Sequence, residues 1–103
     1  MTTLLITGAT GFLGGAVLEK ILQRNEKVNL LLLVRAADRE TGLARIVTNM
    51  RKFNLSEAQL AALTAGQILC GDLGEPESFL DDPRLEQVTH VVNCAAVASF
   101  GSN

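Results

Sequence analysis

Apolar residues along this chain alternate between unbroken runs and helically spaced sets. Leu4-Leu5-Ile6 is a short continuous run, the pattern of a strand buried on both faces. From Phe12 onward, Leu13, Val17, Leu18, Ile21 and Leu22 recur at helical spacing, which predicts a helix to about Arg24. Asn25-Glu26 is a polar break, and Val28 to Val34 is again apolar apart from Asn29. Strand, helix and strand with short breaks make a right-handed βαβ unit with parallel strands.

Leu43, Ile46, Val47, Met50 and Phe53 fit one face of a second helix, with Asp38 as its N-cap. Ser56 with Gln59 has the form of a capping box, and Leu60 and Leu63 continue a short third helix to Ala65 before Gly66 interrupts it. Gln67 to Leu73 reads as a third strand ending at Gly71. Glu75 to Leu85, with Pro76 and Pro83, is a polar connection with one helical turn around Ser78-Phe79-Leu80. Val88 to Ala96 is the fourth strand.

Composition narrows the class. At 103 residues the chain holds at most one domain, and 48% hydrophobic with 19% charged residues is ordinary for a well-cored α/β protein. A net charge of −2 offers no basic surface for nucleic acid. No apolar run approaches the roughly 18 residues of a bilayer span. No basic leader precedes the first strand, so a cytoplasmic location is expected. Cys70 and Cys94 form neither a metal-ligand spacing nor a disulfide framework. Tyrosine and tryptophan are absent from the sequence.

The candidate chemistry lies in "TGATGFLG", Thr7 to Gly14, which directly follows a buried strand and opens a helix. Both conditions are required of a phosphate-binding turn. Gly8 lets the chain leave the strand tightly, Gly11 lets a diphosphate approach the backbone, and Gly14 lets the helix pack close to the sheet. Unpaired N–H groups and the positive end of the helix dipole then favour an anion. Gly8, Thr10, Gly11, Phe12, Leu13 and Gly14 are thus the expected diphosphate-binding residues. No Gly-Lys-Ser/Thr follows, which argues against a P-loop for nucleoside triphosphates. The expected architecture is α/β: the N-terminal half of a Rossmann-like doubly wound parallel sheet, strand order 3-2-1-4. That order places Cys70 and Cys94 on opposite edges, roughly 14 Å apart at about 4.8 Å per strand. Disulfides need about 7 Å or less, so both should be free thiols.

An NAD site carries an acidic residue about 20 positions beyond the glycines. That position falls at Val34-Arg35, where the side chain is a cation. A guanidinium pairs with the 2′-phosphate of NADP, whereas a carboxylate would repel it. NADP(H) is therefore the expected cofactor, with Asp38 the rival for a carboxylate role.

With its leading threonine, the Gly-x-x-Gly-x-x-Gly spacing resembles the fingerprint of extended short-chain dehydrogenases/reductases. Together with "LLLVRAAD", "GDL" and "VVNCAAVASF", the chain resembles the thioester-reductase branch: fatty acyl-CoA reductases and the terminal reductase domains of carboxylic acid reductases and peptide synthetases. The resemblance implies a second arginine at the 2′-phosphate, matched to Arg45 with Arg39 and Arg51 competing. It implies an adenine contact at Asp72 and Leu73. It also implies that Cys94, Ala95, Ala96 and Val97 pass beneath the cofactor's ribose and diphosphate, and that Ser99 and Phe100 border the nicotinamide. His90, at the far end of the fourth strand, is expected to be structural.

In the resembling enzymes a Ser/Thr and a Tyr-x-x-x-Lys set completes the reaction. This chain has no tyrosine, so those residues would lie beyond Asn103. It reads as the N-terminal part (residues 1–103) of one NAD(P)-binding domain, binding part of the cofactor without turnover. The parent would reduce an acyl thioester, coenzyme A-linked or carrier-bound, to aldehyde or alcohol. The thioester substrate would bind through the missing C-terminal part, and the oligomeric state is left open. The alternatives are a sugar-nucleotide epimerase or dehydratase, a carbonyl reductase, or a non-catalytic dinucleotide-binding module.

Overall fold

The computed structural model describes residues 2–24 and 27–94. Its strands are β1 (Thr3–Thr7), β2 (Asn29–Val34), β3 (Ile68–Cys70) and β4 (His90–Asn93). Its helices are α1 (Phe12–Arg24), α2 (Arg39–Met50) and the single turn α3 (Glu57–Leu60). The strands form one parallel sheet in the order β3-β2-β1-β4. This is the Rossmann-like α/β order read from the sequence. The chain steps outward through β1, β2 and β3, then returns to place β4 on the other side of β1.

Register explains why β2 is apolar throughout. Leu30, Leu32 and Val34 enter a core with Leu18 and Leu22 of α1 and Ile46 and Met50 of α2. Leu31 and Leu33 point to the opposite face and pack with Leu5, Leu69 and Phe79. A strand covered on both sides has no polar face to display.

Caps set the helix starts. Asp38 accepts from the backbone N–H of Thr41 at 2.8 Å and opens α2. That contact holds the Asp38 carboxyl below its usual range. Ser56 and Gln59 complete a reciprocal capping box before α3.

The third helix is shorter than the sequence pattern predicts. After Leu60, Gln67 Oε1 accepts from the Thr64 amide at 2.9 Å, and Ala65–Gln67 tightens into a 3-10 turn that feeds β3. The connection to β4 also differs from the expected turn around Ser78-Phe79-Leu80. It holds two 3-10 turns, Pro76–Ser78 and Pro83–Gln87, each starting at a proline. Proline presets φ and has no N–H to leave unpaired at a first helical position. Between the turns, buried Phe79 closes the second core.

Arg84 ties this connection to the start of β3. It donates to Asp82 through Nε (2.9 Å) and Nη2 (2.7 Å), and to the carbonyls of Gly66 (2.9 Å) and Ile68 (3.0 Å). At the other edge β4 starts later than expected, at His90, and Val91 is 61% exposed. His90 is exposed, with Nδ1 2.8 Å from Thr89 Oγ1. Cys70 and Cys94 are free and stand at the ends of the two edge strands.

Candidate functional site: a cleft at the carboxyl ends of the strands

All four strands run the same way, so the segments after β1, β2, β3 and β4 meet along one edge of the sheet. In a doubly wound sheet the crevice forms where the strand order reverses, here between β1 and β4. A cleft of about 870 Å³ lies on this edge, within the usual size for a small-molecule site.

The first wall is the turn between β1 and α1. Gly8 has a φ of 80°, a left-handed conformation that side chains disfavour. A Cβ on Gly14 would stand 2.1 Å from the Gly8 carbonyl oxygen, so only glycine permits this approach of α1 to the turn. Gly11 differs: a Cβ there would meet Gly8 O at an ordinary 3.5 Å. Packing of the chain therefore does not demand a glycine at 11, and Gly11 lines the cleft. The Gly11 amide closes the turn onto Gly8 O at 3.0 Å. The next amides, of Phe12, Leu13 and Gly14, start α1 and have no carbonyl partner within it. These residues and Thr10 also line the cleft.

The second wall comes from β2 and α2. Arg35 follows β2 directly, and its side chain is 74% exposed. Arg45, on the second turn of α2, donates through Nη1 to the Arg35 carbonyl. Both arginines thus line the cleft. The competitors are placed elsewhere: Arg51 pairs with Glu57 at 3.0 Å, and Arg39 does not line the cleft.

The third wall follows β3. Asp72 Oδ1 accepts from the Gly74 amide at 2.9 Å, and the Asp72 amide donates to Ser78 Oγ at 3.0 Å. The carboxylate is therefore aimed by its own turn, and its Oδ2 lies 3.7 Å from Arg35 Nη1. Asp72 serves as a turn residue and also faces the cation. Leu73 lines the cleft beside it, 41% exposed. Cys94 completes the floor, its amide bonded to Thr7 O at 3.1 Å. Ala95, Ala96, Val97, Ser99 and Phe100 lie outside the described residues.

Some lining residues were not singled out from the sequence. Gly71 and Gly74 flank Asp72, and the repeated glycine in "GDLG" was the available signal. Thr7 donates its hydroxyl to Asn93 Oδ1 at 2.7 Å, joining the ends of β1 and β4 beneath the turn. Asn49 of α2 also reaches the turn, through contacts that no local spacing reveals.

Among the described residues, no helix is long and apolar enough to cross a membrane. An NAD-binding family model described as "Male sterility protein" matches residues 6–103. The chain is 36% identical to "Fatty acyl-CoA reductase 8" of Arabidopsis thaliana, covering 95% of this chain and 23% of that protein. It is 37% identical to the "L-2-aminoadipate reductase large subunit" of Penicillium chrysogenum, covering 88% of this chain and 6% of that one. Among solved structures, the terminal R domain from the myxalamid PKS-NRPS biosynthetic pathway superposes with a TM-score of 0.72 at 30% identity. That match covers 91% of this chain and 24% of the other. The chain thus spans about a quarter or less of the length of these proteins. With the glycine turn and the strand order, these matches place the chain in the thioester-reductase family of NAD-binding proteins, that of the fatty acyl-CoA reductases and terminal reductase domains.

Proposed function

We propose that this chain is the NADP-binding, N-terminal portion of an NADPH-dependent reductase acting on an acyl thioester, coenzyme A-linked or carrier-bound, to give aldehyde or alcohol. The observation that carries the cofactor reading is the convergence of Arg35 and Arg45 on the cleft that the glycine turn opens. The residues fit the group. Gly11 leaves free the space beside the turn that a methyl would take, and the first-turn amides of α1 suit a diphosphate. Arg35 and Arg45 would hold the 2′-phosphate, and Asp72 with Leu73 the adenine. Cys94 would line the floor. When bound, the cofactor supplies a hydride.

The proton that such a reduction needs has no tyrosine donor in these 103 residues. The role of this chain is therefore to bind and orient, and the acid and the thioester-binding groups come from further sequence. The fatty acyl-CoA reductase and R-domain relatives support the thioester reading.

Calorimetric titration tests the cofactor assignment. The chain should bind 2′-phospho-ADP-ribose at least tenfold tighter than ADP-ribose, since hydrogen bonds to a charged group contribute about 1.5–3 kcal/mol. Arg35→Ala should remove most of the difference. Equal affinities for the two ligands in the wild-type chain would contradict NADP selectivity.

A further inference from the structure

We infer that Asn49 is a positioning residue for the diphosphate, holding the glycine turn in its anion-binding shape from α2. The inference rests on the cofactor reading above and adds a residue to it. Asn49 Nδ2 donates to the carbonyl of Ala9 at 3.0 Å and to that of Gly11 at 3.1 Å. Its two N–H groups are thereby both directed at the turn. Gly15 makes room for them: a Cβ there would stand 3.0 Å from Asn49 Nδ2 and 2.6 Å from the Phe53 ring.

The consequence follows from peptide geometry. In a planar trans peptide the C=O and the following N–H point in opposite directions. The Gly11 carbonyl is held by the Gly15 amide at 3.0 Å as well as by Asn49, whereas the Ala9 carbonyl is drawn toward α2 by Asn49, so that the N–H of Thr10 points away from that helix. Thr10 and Phe12 both line the cleft. Without Asn49, the Ala9–Thr10 peptide could rotate and present its carbonyl oxygen, which repels an anion. Asn49 also lies four residues after Arg45, on the same face of α2. One helix thus fixes both the turn and one cation, and sets the distance between the diphosphate and 2′-phosphate subsites.

The test uses the purified chain, two ligands and two variants. Asn49→Asp keeps the shape and loses both donors; Asn49→Leu loses them without adding charge. With far-UV circular dichroism unchanged, both variants should bind 2′-phospho-ADP-ribose about tenfold more weakly. Binding of adenosine 2′-monophosphate, which lacks the diphosphate, should change less than twofold, whereas Arg35→Ala weakens both ligands. Equal weakening of the two ligands, or no weakening, overturns the inference and leaves the cofactor reading standing. A wild-type chain that binds neither ligand overturns both. Should both variants unfold, the wild-type Asn49 side-chain amide resonances decide. They should move with 2′-phospho-ADP-ribose and stay in place with adenosine 2′-monophosphate; resonances unmoved by either overturn the inference.

Discussion

The three glycines of the turn answer to different constraints, and substitution separates them. Gly14→Ala places a methyl against the Gly8 backbone at 2.1 Å, where no side chain can yield. It should destabilise the fold by about 1–3 kcal/mol or more, lowering Tm by about 4–8 °C for each kcal/mol in a domain of this size. Gly11→Ala meets only an ordinary contact and restricts the unfolded chain, so Tm should hold or rise slightly. The same methyl should weaken 2′-phospho-ADP-ribose binding at least tenfold. Thermal melts with a calorimetric titration of both variants check this pair; a Gly11→Ala chain that binds normally would remove the argument for a diphosphate at residue 11. At this scale the sequence was informative where function follows spacing along the chain. Gly8, Gly14 and Arg35, singled out by their spacing, line the cleft, and so does Arg45, which the resemblance implied. Asn49 was invisible by the same logic, because its partners are 38 and 40 residues away.

At the scale of elements, the long connection between β3 and β4 depends on one ion pair. Arg84 grips Asp82 with two of its nitrogens and holds the Asp82 carboxyl down at about 2. The carboxyl is acidified on folding from 3.8, so its contribution to stability is complete above about pH 4 and disappears as pH falls toward 2. Asp82→Asn keeps a capping oxygen for the Arg84 amide but cannot ionise. Its melting temperature should lie below wild type at pH 5 and converge with it near pH 2; a constant gap would show that ionisation of Asp82 is not the source. Strands and long helices were legible because their apolar periods are long enough to be unambiguous, as in β2 and α1. The short elements were not. Whether Leu60 to Gly66 continues an α-helix is decided by the Gln67 side chain reaching back to Thr64. The turns at Pro76 and Pro83 are set by where Phe79 and Arg84 dock.

For the whole molecule, the order β3-β2-β1-β4 turns a linear pattern into a site. Residues as far apart as Gly8, Arg35, Asp72 and Cys94 reach one cleft only because four parallel strands end at one edge. That order was legible as the doubly wound arrangement read from the glycine turn and the alternation of strands and helices, whereas the distance from Arg35 to Asp72 was not. Mapping backbone amide resonances during titration with 2′-phospho-ADP-ribose tests the central claim most directly. The largest shifts should fall on the amides of residues 8–14, with further shifts at Arg35, Arg45, Asp72 and Leu73. Shifts confined to other surfaces, such as the groove between Ile21 and Gln59 at the C-terminal end of α1, or no shifts at all, would contradict it.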